Sequence, residues 1–199
     1  MSTEQKQLPK GLRTREKIYD AAISLFEEKG YQNTTIEDIT ERAGTAKGTF
    51  YVHFSSKKDL VYHTLERYDE IASLTYEEVS SLKTFKEQLV AYMQHSNHAI
   101  KSLGHEVLKA LYLNDIAEDS SVVTKPEREI YNSIKKIVEF GIHSGELSDK
   151  HSIDYYVQLI VFGILGIDFF WCSTPSDSVD IEGSAGVMAQ VLCDGLLRM

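Results

Sequence analysis

Residues 34–54 read Thr34-Thr35-Ile36-Glu37-Asp38-Ile39-Thr40-Glu41-Arg42-Ala43-Gly44-Thr45-Ala46-Lys47-Gly48-Thr49-Phe50-Tyr51-Val52-His53-Phe54. Ile36, Ile39 and Ala43 share one side of a short helix, because residues three and four apart lie on one face. Thr34 and Glu37 have the spacing of a capping box, in which the hydroxyl accepts the third amide and the glutamate reaches back. Gly44 ends that helix. A second short helix, from Ala46 to His53, turns Ala46, Phe50 and Phe54 inward and leaves Lys47 and Tyr51, four apart, on the other side. Two helices of about eight residues joined by a glycine-containing turn make a helix-turn-helix.

The pattern extends in both directions. A longer helix precedes it, from Arg13 to Lys29, with Ile18, Ala22, Leu25 and Phe26 on one face, Ala21 beside them, and Gly30 placed to stop it. Ser56-Lys57-Lys58-Asp59 is a second capping-box pattern, opening a helix that continues to Val79. A break at Lys83-Thr84 allows a helix from Phe85 to Leu103, and Gly104 separates it from the next, His105 to Glu118. Thr124-Lys125-Pro126-Glu127 reads as the N-cap and first turn of a seventh helix, since proline is tolerated there. Gly145 closes that helix. His151 to Cys172 and Val179 to Arg198 complete the set, separated by Ser173-Thr174-Pro175-Ser176. The expected fold is all-α with about nine helices: a head, residues 1–56, and a helical body, residues 57–199.

A hydrophobic content of 42% and a charged content of 26% are ordinary globular values. The net charge of −9 divides unevenly. Residues 1–58 hold ten Lys/Arg and eight Asp/Glu, while residues 59–199 hold eleven against twenty-two. A weakly basic head on an acidic body suits a module that meets phosphates while the remainder limits non-specific attraction. Cys172 and Cys193 make neither a disulfide framework nor a metal set and read as small buried hydrophobes. Residues 1–10 lack the apolar core of a signal peptide. The most apolar run, Tyr155 to Cys172, is interrupted by Gln158 and Asp168, short of the roughly 20 residues of a membrane span. A buried core helix, no membrane partner and a cytoplasmic location are the expectations.

The quoted stretch belongs to a longer pattern. Thr14-Arg15-Glu16-Lys17-Ile18, Ala21-Ala22, Leu25-Phe26, Lys29-Gly30-Tyr31, Thr34 to Ile39, Arg42 to Phe54 and Lys57-Lys58-Asp59-Leu60 closely resemble the signature of the tetracycline-repressor family of bacterial regulators. The match covers about the first quarter of the chain. It implies an Ω-shaped homodimer whose last two helices pair across the axis. It also implies a ligand cavity in the body that moves the fourth helix and respaces two DNA-binding heads. The partners so implied are an operator in double-stranded DNA, a small-molecule effector and a second copy of the chain. Repression released by ligand is the family's common habit, and the sequence itself leaves repressor or activator open.

Within that resemblance the third helix reads DNA. Lys47 reaches a phosphate or a guanine edge, and Gly48 lets the backbone approach the groove. Thr45 caps this helix and is placed for a phosphate. Positions matching Thr49, Tyr51, His53 and Lys57 contact bases or phosphates in the family, and Thr35 stands where a phosphate contact is expected. Glu37 is out of place on such a face unless it is paired or serves only the cap.

In the body, His63, Arg67, Tyr92, His95, Tyr112, Phe162 and Asp168 are candidates for a ligand pocket or for plain packing. The expected ligand is small and largely apolar, between the fourth and eighth helices. Asp168 faces solvent, pairs with a basic side chain, or awaits a cationic ligand. His95 and His98, with His63 or His105, lack the carboxylate or cysteine that would complete a metal set, and no metal or cofactor is expected. No nucleophile elbow, phosphate loop, zinc motif or dinucleotide fingerprint occurs, so an enzyme is not expected. The competing class is a helical interaction or small-molecule-binding module without operator binding. Loss of Lys47, Gly48 or Tyr51 would mark it, and all three stand. Ile181, Ala185, Met188, Leu192 and Leu196 are the stripe expected to pair two copies.

Overall fold

The computed structural model describes residues 9–175 and 178–198. Residues 1–8 and Ser176 of the sequence readings above lie outside the described residues. Nine helices and no strand occur among the described residues: α1 (Lys10–Lys29), α2 (Ile36–Ala43), α3 (Lys47–His53), α4 (Lys57–Val79), α5 (Phe85–Leu103), α6 (His105–Ala117), α7 (Glu129–His143), α8 (Ile153–Ser173) and α9 (Ile181–Leu196).

Helices α1 to α3 close around Ile18, Ala22, Phe26, Ile39 and Phe50, each fully buried, with Phe54 beside them. The capping box at α2 sits one residue later than expected. Thr35 is the N-cap, its hydroxyl accepting from the Asp38 amide while the Asp38 carboxylate takes the Thr35 N–H. Thr34 has a different task. It is buried, and its hydroxyl lies 2.9 Å from the Gly30 carbonyl and 3.3 Å from that of Leu25, pinning the turn to α1. Ala46, expected inside, is exposed as the α3 N-cap. At α4 the Ser56 hydroxyl accepts the Asp59 amide as expected, but the Asp59 carboxylate returns to Ser55 instead of Ser56.

In the body α5 packs chiefly on α9 and α4, and α8 on α7, α9 and α6. Helix α7 begins at Glu129, three residues after Pro126. Residues 123–128 turn instead, because the Arg128 side chain is buried and held by Asp69 and the Val123 carbonyl. Helix α8 is long and apolar enough to cross a membrane by length and composition, yet half of its apolar window is buried within the chain. The α9 stripe is also corrected. Ile181, Ala185 and Leu196 are buried inside their own subunit, and Leu192 and Met188 approach Gly163 of α8. The large apolar residues left outward on these two helices include Val187 and Val191 on α9 and Phe162, Phe169 and Phe170 on α8. Cys172 and Cys193 are free and buried, and burial pushes both thiols up to about 11.

Candidate nucleic-acid interface and body cavity

Helix α3 is anchored by one face and offers the other. Phe50 is fully buried, with Phe54 at 5.9 Å between ring centroids. Opposite them Lys47 and Gly48 are exposed, and Tyr51 is 51% exposed with its ring edge-on to Phe50. Val52, which the sequence reading passed over, is 77% exposed. An apolar side chain there suits a thymine methyl group in a major groove. Thr49 and His53 are half-buried at the rim of the same helix.

Three of the expected contacts have other tasks in the free protein. Thr45 does not cap α3: Ala46 is the N-cap, and the Thr45 hydroxyl is buried without a hydrogen-bond partner. The Thr35 hydroxyl is engaged with Asp38. Lys57 donates to the carbonyls of Tyr31 (2.6 Å) and Thr34 (2.8 Å) and lies 4.2 Å from the centre of the Tyr31 ring. Partial burial lowers its ammonium pKa. Two of its three donors therefore brace the turn before α2. Glu37 does not close the cap; it pairs with Lys47, and the pair holds the carboxyl below and the ammonium above their ordinary values. An exposed pair of this kind is screened by solvent and contributes little, so a phosphate can displace the carboxylate.

His63 and Arg67 lie at the junction of α4 with α1. Arg67 pairs with Glu16 at 2.8 Å, its guanidinium 4.7 Å from the centre of the Tyr19 ring. His63 is buried with Nδ1 2.6 Å from Glu66 and 3.3 Å from Arg15, between the rings of Tyr19 and Phe54. A second junction joins α1 to α6. The Glu27 carboxylate accepts from the backbone N–H of Glu106 at 2.8 Å, while Gly104, at φ 106°, leaves no Cβ in its way.

The body holds a mainly apolar cavity between α4, α6, α8 and the turn before α7, lined among others by Leu65, Leu111, Leu165, Tyr68, Tyr112 and Asp168. Its free volume is about 20 Å³, room for one water. Arg128 borders it with its charge already matched, Nη2 and Nε reaching Asp69 at 2.9 and 3.3 Å. Asp168 is buried, which removes the solvent-facing alternative. Burial pushes its carboxyl up to about 7, against a smaller opposing pull from Arg128. Its hydrogen-bond partner among the described residues is Asn97, whose Nδ2 donates over a long 3.4 Å.

Of the seven ligand candidates, the structure brings Tyr112 and Asp168 together here. Tyr92 is buried nearby, its pKa raised by burial against smaller opposing contributions from Ser133 and Ser96. His95 is exposed, 3.4 Å from Glu78. Phe162 lines a separate surface groove of about 590 Å³ between α7 and α8, which shares Leu165 with the cavity. Sequence reasoning missed Tyr68, Asn97 and Arg128, because nothing in their local patterns tells which helix faces meet. The histidines weighed for a metal are engaged apart: His98 with Glu182, and His105 with the carbonyls of Trp171 and Thr174.

Residues 18–63 match the family model described as bacterial regulatory proteins, tetR family. An HTH-type transcriptional regulator of Bacillus subtilis (strain 168), YvdT, is 47% identical over 60 residues, covering 26% of this chain and 31% of that one. The chain thus spans under a third of that relative's length. The fatty acid metabolism regulator protein of the same organism is 26% identical over 184 residues, covering 90% of this chain and 93% of that one. The solved structure of FadR from Bacillus subtilis in complex with stearoyl-CoA superposes with a TM-score of 0.66 at 22% identity, covering 90% of this chain and 98% of that one. Residues 18–63 thus carry the head signature of the tetR family of bacterial regulatory proteins, and the arrangement of helices along nearly the whole chain is similar to that of the FadR structure.

Proposed function

We propose that the protein is a cytoplasmic, ligand-responsive repressor that binds a palindromic operator as a homodimer and is released by a small, largely apolar molecule. Residues 1–56 form its DNA-binding domain, and residues 57–199 sense the ligand and pair the subunits. The observation that carries this reading is the division of α3. Phe50 and Phe54 fix the helix in the head, so Lys47, Gly48, Tyr51 and Val52 project together from it. Two such helices related by a two-fold axis read an inverted repeat. The outward apolar residues of α8 and α9, Phe162, Phe170, Val187 and Val191, supply the surface for that pairing. Large exposed apolar patches mark association sites.

The similar FadR structure holds stearoyl-CoA, which carries a long apolar chain. The apolar walls around Leu65, Leu111 and Leu165 suit an apolar group here too. Ligand cavities usually measure roughly 300–1,000 Å³, so binding requires the 20 Å³ cavity to open. Opening displaces α4 or α6, and both touch α1. The test is selection from random duplex DNA. Enrichment of an inverted repeat, bound more weakly as salt rises, supports operator reading; enrichment of no such repeat contradicts it.

A further inference from the structure

We propose that the effector recognised in the body cavity is an organic cation, an ammonium group on an apolar body, with Asp168 as its counter-charge. The inference rests on the ligand-responsive reading and names the chemistry of the site.

Of the two charged groups that border the cavity, Arg128 and Asp168, the cation is paired and the anion is not. Arg128, its one bordering cation among the described residues, is already matched by Asp69 and by the Val123 carbonyl. The Asp168 carboxylate is 3% exposed and has no ion-pair partner within 4.0 Å among the described residues. A buried ionised group of this kind is costly unless it is paired. Asn97 presents its amide N–H to Asp168, the geometry of an accepting carboxylate, and its own Oδ1 is buried without a partner. The Tyr68 hydroxyl is likewise buried beside the cavity, with the Ser96 hydroxyl near it. An ammonium group donates three hydrogen bonds and accepts none. It therefore answers the Asp168 carboxylate, and the Tyr68 phenol oxygen on the same cavity wall offers a second acceptor.

Two aromatic rings, Tyr68 and Tyr112, border the same space, and aromatic faces attract desolvated cations. The ionisable groups around Asp168 are Tyr68 on α4, Tyr112 on α6, Arg128 before α7 and Cys172 on α8 itself; α5 contributes the neutral Asn97. Burial raises the pKa of both phenols and the thiol, leaving them neutral near pH 7. A carboxylate-ended ligand meets the opposite situation. It brings a second negative charge beside Asp168 and finds Arg128 already taken.

Access is by the groove between α7 and α8. Leu165 lines both groove and cavity, and the 123–128 turn supplies Val123 to one and Thr124 and Pro126 to the other. Displacing the Leu165 side chain joins the two spaces.

The experiment is calorimetric titration of the full chain, without DNA, with octylammonium, octanol and octanoate. Octylammonium is expected to bind at least about tenfold more tightly than octanol, with octanoate weakest, a tenfold ratio being 1.4 kcal/mol. Asp168→Asn should lower octylammonium affinity at least about tenfold and leave octanol within about twofold. Wild-type affinity for octylammonium should rise roughly tenfold between pH 6 and pH 8, as a carboxyl half-protonated near pH 7 becomes the anion. That pH series stands even if the variant misfolds. Failure of octylammonium to bind, preference for octanoate or octanol, a flat pH series, or an unchanged Asp168→Asn affinity overturns the proposal. A cation that binds as described yet leaves operator affinity unchanged contradicts the ligand-responsive reading and leaves the site standing.

Discussion

The Glu27 carboxylate, near the end of α1, accepts a 2.8 Å hydrogen bond from the backbone N–H of Glu106 in the first turn of α6. It lies 3.4 Å from the next amide, that of Val107, as well. A head side chain thus caps a body helix, and acidic groups are favoured at helix N-termini. Helix α6 also supplies Leu108, Leu111 and Tyr112 to the cavity. A change at the cavity would therefore reach the head through α6 as well as through the α4 contacts Arg67–Glu16 and Tyr19–Thr64.

Glu27→Gln should keep the fold and the operator contacts while weakening the ligand response. Coupling between two sites is typically about 1–3 kcal/mol and reciprocal, and loss of a cap costs on the order of 1 kcal/mol. Operator titrations with and without saturating ligand measure it. An unchanged ligand effect would remove Glu27 from the path.

Glu37→Gln should tighten DNA binding several-fold, because it frees Lys47 and removes an anion that phosphates would face. Lys47→Ala should weaken binding by about 1–3 kcal/mol and, if Lys47 meets a phosphate, reduce the salt slope by about one. Gel-shift titrations across a salt series separate the two. If Glu37→Gln weakens binding, the pair orders the interface instead of masking it.

The head was legible in sequence because its determinants are local. Gly30, Gly44, the spacing of Ile36 and Ile39, and the four-residue step from Phe50 to Phe54 each follow from helix periodicity or turn chemistry. The slip from Thr34 to Thr35 at the α2 cap shows the limit. Both are threonines three residues before an acid, and a long-range contact, Thr34 with the Leu25 and Gly30 carbonyls, decides between them. The same applies to α7, whose start is set by Arg128 reaching Asp69 across 59 residues of chain. The α9 stripe has the expected period, yet α5 covers much of it. Periodicity gives a face but not what it meets. The cavity was the least legible part, since Tyr68, Asn97 and Asp168 come from three helices with no shared motif.

Asp168 makes stability depend on pH in a definite direction. The unfolded chain releases its proton near the ordinary value of 3.8, whereas the folded chain holds it to about 7. Between those values the folded state binds more protons, so stability falls as pH rises and levels off above pH 7. Asn lacks this cost. Asp168→Asn should therefore melt close to wild type near pH 4 and higher near pH 8, by on the order of 10 °C for a difference of about 4 kcal/mol. Equal melting temperatures across that range would show Asp168 to be better compensated than its surroundings indicate.

Charges at the outward apolar positions should break the dimer. Val187→Glu with Val191→Glu places two carboxylates on the exposed face of α9 and leaves Ala185, Ala189 and Cys193 packed on the inside. Light scattering should find monomers or aggregates with helicity retained. A folded dimer from this variant would move the interface elsewhere.

The claim that α3 reads DNA is tested most directly by anisotropy titration of an inverted-repeat duplex with wild type, Lys47→Ala/Tyr51→Ala and Phe50→Ala, each checked by circular dichroism. The double variant should keep its helicity and dimer state and lose on the order of 2–6 kcal/mol of binding, about 1–3 for each side chain. Phe50→Ala should lose binding together with the fold of the head, as truncating a buried aromatic costs about 3–5 kcal/mol. A folded Lys47→Ala/Tyr51→Ala dimer that bound the repeat as tightly as wild type would contradict the assignment of α3 as the reading helix.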